Sequence, residues 1–226
     1  MVLDLPANPL SIELTLSHRR FWWQIDDEDE QPEQWDASAD VSYLELCPDD
    51  LQHVGDISFV IADLARKRNL LDAVVLGEWA LDFIAEAVVD PDQGKLHAEL
   101  DDIISKGAPR MLIVRSIGVE KPWRGHGLGA ALTASALRIM APNARLAVCR
   151  VSPLDFRGAG TDAAETAAFR AGAMLERIGF HRWRGVHIID LRNPSLVEVR
   201  MDMLDQWWPE HCADEGEDSP CNHTAT

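Results

Sequence analysis

The residues best suited to chemistry lie in one stretch, Val119-Glu120-Lys121-Pro122-Trp123-Arg124-Gly125-His126-Gly127-Leu128-Gly129-Ala130. Three glycines alternate immediately before an Ala- and Leu-rich run. With no Cβ in the way, successive backbone N–H groups can turn toward one point. A helix starting there adds partial positive charge. Such a cradle suits a pyrophosphate, and Lys121, Arg124 and His126 can reinforce it. Two patterns compete for these residues. Gly125-x-Gly127-x-x-Ala130 fits the dinucleotide fingerprint G-x-G-x-x-G/A. That fingerprint belongs directly after its strand, within repeated βαβ units and with an acid at the end of the next strand. Here a Pro122-containing linker intervenes, Cys149-Arg150 stands at the end of the next strand, and no alternating series lies upstream. The other pattern, R-x-x-G-x-G/A, is met by Arg124, Gly127 and Gly129.

The elements that must position this loop can be read from hydrophobic period. Met111–Val119 (MLIVRSIGV) is a strongly apolar strand leading in, and Leu128–Met140 is a helix leading out. Pro142-Asn143 breaks that helix. Arg145–Val151 reads as a second buried strand, ended by Pro153. A helix over Ala163–Ile178 follows, with an apparent capping box at Asp162 and Glu165 and Gly179 at its C-terminal cap. Trp183–Leu191 reads as the last strand. Upstream, Ser11–Leu16, Arg20–Ile25, Val41–Leu46 and Asp56–Ala62 have strand character. The acidic run over 26–40 reads as a loop. Leu70–Val89 has helical spacing and places Glu78, Asp82 and Glu86 on one face.

Charge is distributed unevenly over the 226 residues, whose formal net charge is −17. Residues 107–200 hold 14 Lys and Arg against 7 Asp and Glu, an excess of +7, which leaves −24 for the remainder. The overall acidity argues against non-specific nucleic-acid binding, while a basic segment suits an anionic ligand. At 46% apolar residues the chain can bury a real core. No stretch reaches the roughly 18 apolar residues of a membrane span. The start has neither a basic n-region nor an apolar h-region, so a cytoplasmic protein is expected. The four cysteines form no C-x-x-C pair, so no metal site is expected.

The order of strand, R-x-x-G-x-G loop, helix, strand, helix ending Leu175-Glu176-Arg177-Ile178-Gly179-Phe180, and strand resembles the core of the GNAT superfamily of acetyl-CoA-dependent N-acetyltransferases. The likeness covers residues 110–191. It is closest to a bacterial subgroup with a long helix before the core strand and a Pro-Leu pair, here Pro153-Leu154. It implies an α/β (α+β) fold with a mixed, largely antiparallel sheet, splayed central strands and flanking helices. Residues 1–200 would form one domain, and 201–226 an acidic, disordered tail.

By this resemblance acetyl-CoA, or another acyl-CoA, is the co-substrate. Its pyrophosphate is held by Arg124, Gly125, His126, Gly127, Leu128, Gly129 and Ala130, and its pantetheine pairs with the backbone from Ile117 to Val119. The Val119 N–H would stabilise the oxyanion, and a small-molecule or protein amine would attack directly. A homodimer is compatible with this reading. A lysine-like amine, with a pKa of about 10.4, needs a base or proton wire. Glu120 is one candidate, the acids of the 70–89 helix are others, and His53, His126 and His181 titrate in the right range. The tyrosine common at the first position of Y-E-K-L-G-F is Leu175 here, and the usual asparagine is replaced by Ala168. Cys149 and Ser152 are the nearby substitutes for the missing acid, because the one tyrosine, Tyr43, is far away in sequence. A non-catalytic acyl-CoA-binding module is the alternative, and a nucleotide-dependent oxidoreductase the second rival.

Overall fold

A computed structural model describes residues 5–18, 33–64, 79–90, 92–156 and 160–208. Strands β1 (Ile12–His18), β2 (Glu33–Val41) and β3 (His53–Asp63) form an antiparallel meander. Helix α1 (Trp79–Val88) follows, then a small hairpin of β4 (Val89–Asp90) and β5 (Lys95–Leu96) and helix α2 (Ala98–Ile103). Strand β6 (Arg110–Val119) lies antiparallel to β3 and leads through the glycine loop into α3 (Leu128–Met140). Strand β7 (Leu146–Cys149), helix α4 (Thr161–Arg177), the hairpin β8 (His181–Trp183) and β9 (Val186–Asp190), and helix α5 (Ser195–Trp207) complete the described chain. The sheet order is β1-β2-β3-β6-β7-β9-β8, with β6 and β7 parallel and every other pair antiparallel.

Two cores flank this mixed α+β sheet. On one face Ala37, Ala39, Ile57, Phe59 and Val114 pack with Leu128, Leu132 and Leu137 of α3, Leu175 of α4 and Leu196 of α5. On the other, Val60, Met111, Ile113, Leu146 and Val148 pack with Ile84 and Val88 of α1 and Leu100 of α2. Central strands buried on both faces read as unbroken apolar runs, which is why β6 and β7 are legible in the sequence. Each fully buried Leu or Ile contributes roughly 1.5–3 kcal/mol.

The structure corrects several local expectations. The part of the acidic run at 33–40 is not a loop but most of β2. Trp35, Ala37, Ala39 and Val41 point to the core, and Gln34, Asp36, Ser38 and Asp40 alternate with them. Val41–Leu46 is not a strand: Val41 ends β2, and Tyr43 lies in the turn that follows, 87% exposed. The apparent capping box is not formed, because Gly160 caps α4 and no side chain bonds there. The last strand is a hairpin, turning at Arg184 (φ +43°) and Gly185 (φ +85°), the paired positive dihedrals of a type I′ turn.

Other expectations are met. Ser11–Leu16, Asp56–Ala62, Met111–Val119 and Leu128–Met140 take the structures read for them. Gly179 (φ +101°) closes α4 with Phe180 N–H on the Leu175 carbonyl (3.0 Å) and Gly179 N–H on that of Glu176 (3.1 Å), a Schellman motif. Helix α5 runs past residue 200, the expected end of the domain. The readings for residues 20–25, the N-terminal part of the 70–89 helix and the segment beyond Pro209 fall outside the described residues, as do Cys212 and Cys221. No described helix is long and apolar enough to cross a membrane.

Candidate functional site

The site begins with a mismatch in strand length. Strands β6 and β7 pair over four positions, Met111 with Leu146 through Val114 with Cys149. Strand β7 then ends, whereas β6 continues to Val119. The β3–β6 register also slips between Ser58 and Phe59, leaving Arg115 as the extra residue of a bulge, a feature that re-aims the strand beyond it. From 116 to 119, β6 has no strand partner on its β7-side edge among the described residues.

Hydrogen-bond parity shows what that edge offers. Glu120 N–H donates to the Val54 carbonyl (2.8 Å). In an antiparallel ladder, bonded and non-bonded pairs alternate. Residues 116, 118 and 120 therefore turn their main-chain groups toward β3, and Ile117 and Val119 turn theirs toward the open edge. The Val119 carbonyl there accepts from Arg124 Nε at 2.6 Å. Arg124 thus ties the glycine loop to the end of β6.

A short 3-10 turn, Lys121–Trp123, carries the chain from β6 to the loop. Trp123 is fully buried, and its indole N–H donates to the Leu51 carbonyl at 3.0 Å. This anchor was missed in the sequence because a tryptophan between Pro122 and Arg124 carries no periodic signal. Gly125 (φ +91°) and Gly127 (φ +81°) adopt left-handed dihedrals that favour glycine. Gly127 caps α3, and its carbonyl accepts from Ala130 and Ala131. The N–H groups of Gly125, His126, Gly127, Leu128 and Gly129 find no acceptor among the described residues. Leu128 and Ala130 are buried, whereas Arg124 and Gly125 are exposed. The loop can therefore offer an anion a set of main-chain donors at a helix N-terminus.

The opposite face of the sheet is polar where α1 and α2 do not cover it. Cross-strand register groups Glu13 with Asp40, Thr15 with Ser38 and Asp56, and Ser17 with Asp36, Ser58 and Ser116. Ser58 and Ser116 hydroxyls lie 2.6 Å apart. His53 bridges Asp40 (Nδ1, 2.8 Å) and Asp56 (Nε2, 3.0 Å). The hydrogen bond to Asp40, helped by Asp56, raises the His53 pKa against the opposing effect of burial. The acids of β2 thus share this face with the end of β6, with β3 between them.

The remaining candidates separate. Glu120 is exposed and anchored by its main chain. Cys149 is buried, and its thiol is pushed up to about 12 by desolvation and by Asp155. A thiol held that high keeps its proton and is a poor acid. Ser152 is turned to the chain after it, its Oγ accepting from Leu154 N–H at 3.3 Å. Leu175 is part of the core, and Tyr43 lies in its exposed turn. His126 is half-buried, and burial lowers the pKa of His181. Glu86 is exposed on α1, and Glu78 lies outside the described residues.

One titratable group absent from the sequence reading stands next to Cys149. His187 of β9 is paired with Cys149 across β7 and β9 and is 8% exposed. Neither of its ring nitrogens has a hydrogen-bond partner among the described residues. Desolvation and Arg182 lower its pKa, with Glu176 opposing.

Among the described residues no group of three or more His, Cys, Asp and Glu is placed to hold a metal ion. Among the described residues the sheet has a single parallel pair, unlike the repeated parallel units in which a dinucleotide fingerprint works. Comparison with protein-family models finds no match, and comparison with curated proteins finds none either.

Proposed function

We propose that the chain is a GNAT-type acyltransferase that moves an acetyl or other acyl group from acyl-CoA to a small-molecule or protein amine by direct attack. The observation that carries this reading is the open edge of β6. Ile117 and Val119 present main-chain donors and acceptors where β7 has ended, at the base of a glycine loop with five N–H groups unpaired among the described residues. The pyrophosphate lies on Gly125 to Ala130, with Lys121, Arg124 and His126 around it. The pantetheine runs along Ile117 and Val119, and the Val119 N–H takes the oxyanion, a contribution worth roughly 3–4 kcal/mol in comparable sites. The amine approaches over the polar face, where Asp36, Asp40, Asp56 and Glu13 favour a cation. Glu120 sits at the strand end as a group able to take the amine's proton.

The core position of Leu175 favours the second reading, a binding module without turnover, because no acid stands there. Release of free CoA separates the two.

Gly129→Asp tests the cofactor site. A Cβ at Gly129 meets Met174 Sδ and Val119 Cγ2 only at 3.4 Å, and an acid in the first turn of a helix favours the fold. The variant should match the wild type in Tm without ligand. Acetyl-CoA at about 100 times its Kd stabilises a binder by about 2.7 kcal/mol, and Gly129→Asp should lose that gain. A full gain in the variant, or none in the wild type, would refute the assignment.

A further inference from the structure

We infer that the outer face of α5 is a dimer interface, on which a second copy of this chain lays its own α5 in parallel. Helix α5 turns Leu196, Val199 and Met203 to the core. Its outer side is not uniformly polar. Val197, Met201, Leu204 and Trp208, the residue that caps its C-terminus, are 40%, 49%, 36% and 61% exposed. Apolar side chains scattered singly on a surface need no explanation, whereas a contiguous run of them marks a contact. The spacings here are four, three and four residues. They put all four side chains on one stripe, in the alternation of a coiled-coil seam. Residues 209–226, which follow the stripe, contain no Val, Leu, Ile, Met, Phe, Tyr or Trp and so bring nothing large and apolar to lay on it.

Charge selects the occupant and its direction. At about 100° per residue, Arg200 lies on one flank of the stripe, and Glu198 and Asp205 lie on the other. All three are exposed and have no hydrogen-bond or ion-pair partner among the described residues. With two α5 helices parallel about a two-fold axis, Arg200 of each faces the partner's Asp205, five residues on. Charges in that relation across a parallel seam set partner choice and orientation, and the symmetry makes two such ion pairs. With the helices antiparallel, like flanks would meet, and Glu198 would oppose the partner's Asp205. The parallel pair also brings each stripe residue against its own copy, and an isologous contact of this kind closes at two chains.

The interface stands behind the glycine loop. A Cβ placed at Gly127 would meet Met203 Cε at 3.3 Å, so the helix that pairs is the helix that backs the loop. Four apolar side chains a side put the contact at the low end of interface sizes, and the dimer is therefore weak and dependent on concentration.

The test is sedimentation velocity of the full chain in reducing buffer from about 1 to 300 µM, a span over which mass action populates a weak dimer. We expect monomer at the low end and dimer at the high end for the wild type. Met201→Glu places a charge in the seam and should abolish the dimer. Arg200→Asp and Asp205→Arg each turn two attractions into two repulsions and should weaken association about tenfold. On a chain of net charge −17, Asp205→Arg lowers the overall repulsion, so an unspecific or antiparallel contact would tighten instead. An equimolar mixture of the two single variants should recover the wild-type dimer, because their flanks are complementary again. A wild type that stays monomeric throughout, its stripe covered by another part of the chain or by a different protein, overturns the inference. So does an assembly larger than a dimer, a dimer indifferent to Met201→Glu, tightening by Asp205→Arg, or a mixture that fails to recover. Should Met201→Glu fail to fold, the variants at Arg200 and Asp205 and their mixture decide, since neither residue has a partner in its own chain among the described residues. None of these outcomes bears on the acyl-CoA reading.

Discussion

Gly55→Ala places a methyl group where β3 and β6 come closest. A Cβ at Gly55 would stand 2.2 Å from the Gly118 carbonyl oxygen and 3.0 Å from Val119 Cα. Contacts under 3.0 Å are essentially never seen for real Cβ atoms, and the obstacle is backbone, so the strands must separate locally by about 1 Å. Overpacking of this kind costs about 1–3 kcal/mol, occasionally more. The loss of glycine's freedom in the unfolded chain returns about 0.4–1 kcal/mol. A net destabilisation of about 2 kcal/mol follows. With a urea m-value of about 3 kcal/mol/M, the midpoint should fall by about 0.7 M. The same displacement moves Val119; if the proposed acyltransferase reading holds, a 1 Å misplacement at a reacting centre can cost about 10²-fold, and CoA release should fall more than stability does. Gly118→Ala is the control, because its Cβ would meet only the Asp56 carbonyl oxygen, at 3.7 Å. The reasoning fails if Gly55→Ala lies within about 0.5 kcal/mol of wild type, or is no worse than Gly118→Ala.

Two further outcomes follow from side chains around the site. Arg145 is 11% exposed and donates to the carbonyls of Ser105 (3.1 Å) and Ile104 (2.9 Å) besides pairing with Asp101. Arg145→Leu leaves those carbonyls unpaired and should cost about 2–4 kcal/mol in urea unfolding; a change under about 1 kcal/mol would show that the segment before β6 is held by other means. His53 has a raised pKa in the folded state, so its contribution is complete below the unfolded value of 6.5 and is lost as pH rises through the folded value. The Tm deficit of His53→Gln should therefore be larger at pH 5.5 than at pH 9, and a deficit that grows with pH would contradict the Asp40 and Asp56 contacts.

Those residues that act through their neighbours in the chain were legible in the sequence. Met111–Val119 announces a buried strand because both of its faces are apolar up to Val114. Gly125, Gly127 and Gly129 announce a turn into a helix because local dihedrals, not distant contacts, demand them. Gly179 does the same at the end of α4. Strand β2 was hidden because its inward residues at 37 and 39 are alanines, whose weak apolar signal is outweighed by the acids between them. The β8–β9 turn was hidden inside an otherwise apolar segment, since the positive dihedral of Arg184 follows from pairing rather than from residue type.

The sequence by itself thus determined the loop and its flanking strand and helix. Tertiary structure alone decided what surrounds them. Register is a non-local property, and a shift of one residue exchanges the faces of a strand. Only pairing could show that Ile117 and Val119 turn their main-chain groups to an open edge, or that Asp36, Asp40 and Asp56 share one face. Only the ending of β7 at Cys149 could part the central strands beyond Val114, and only the pairing of β9 with β7 could set His187 beside Cys149.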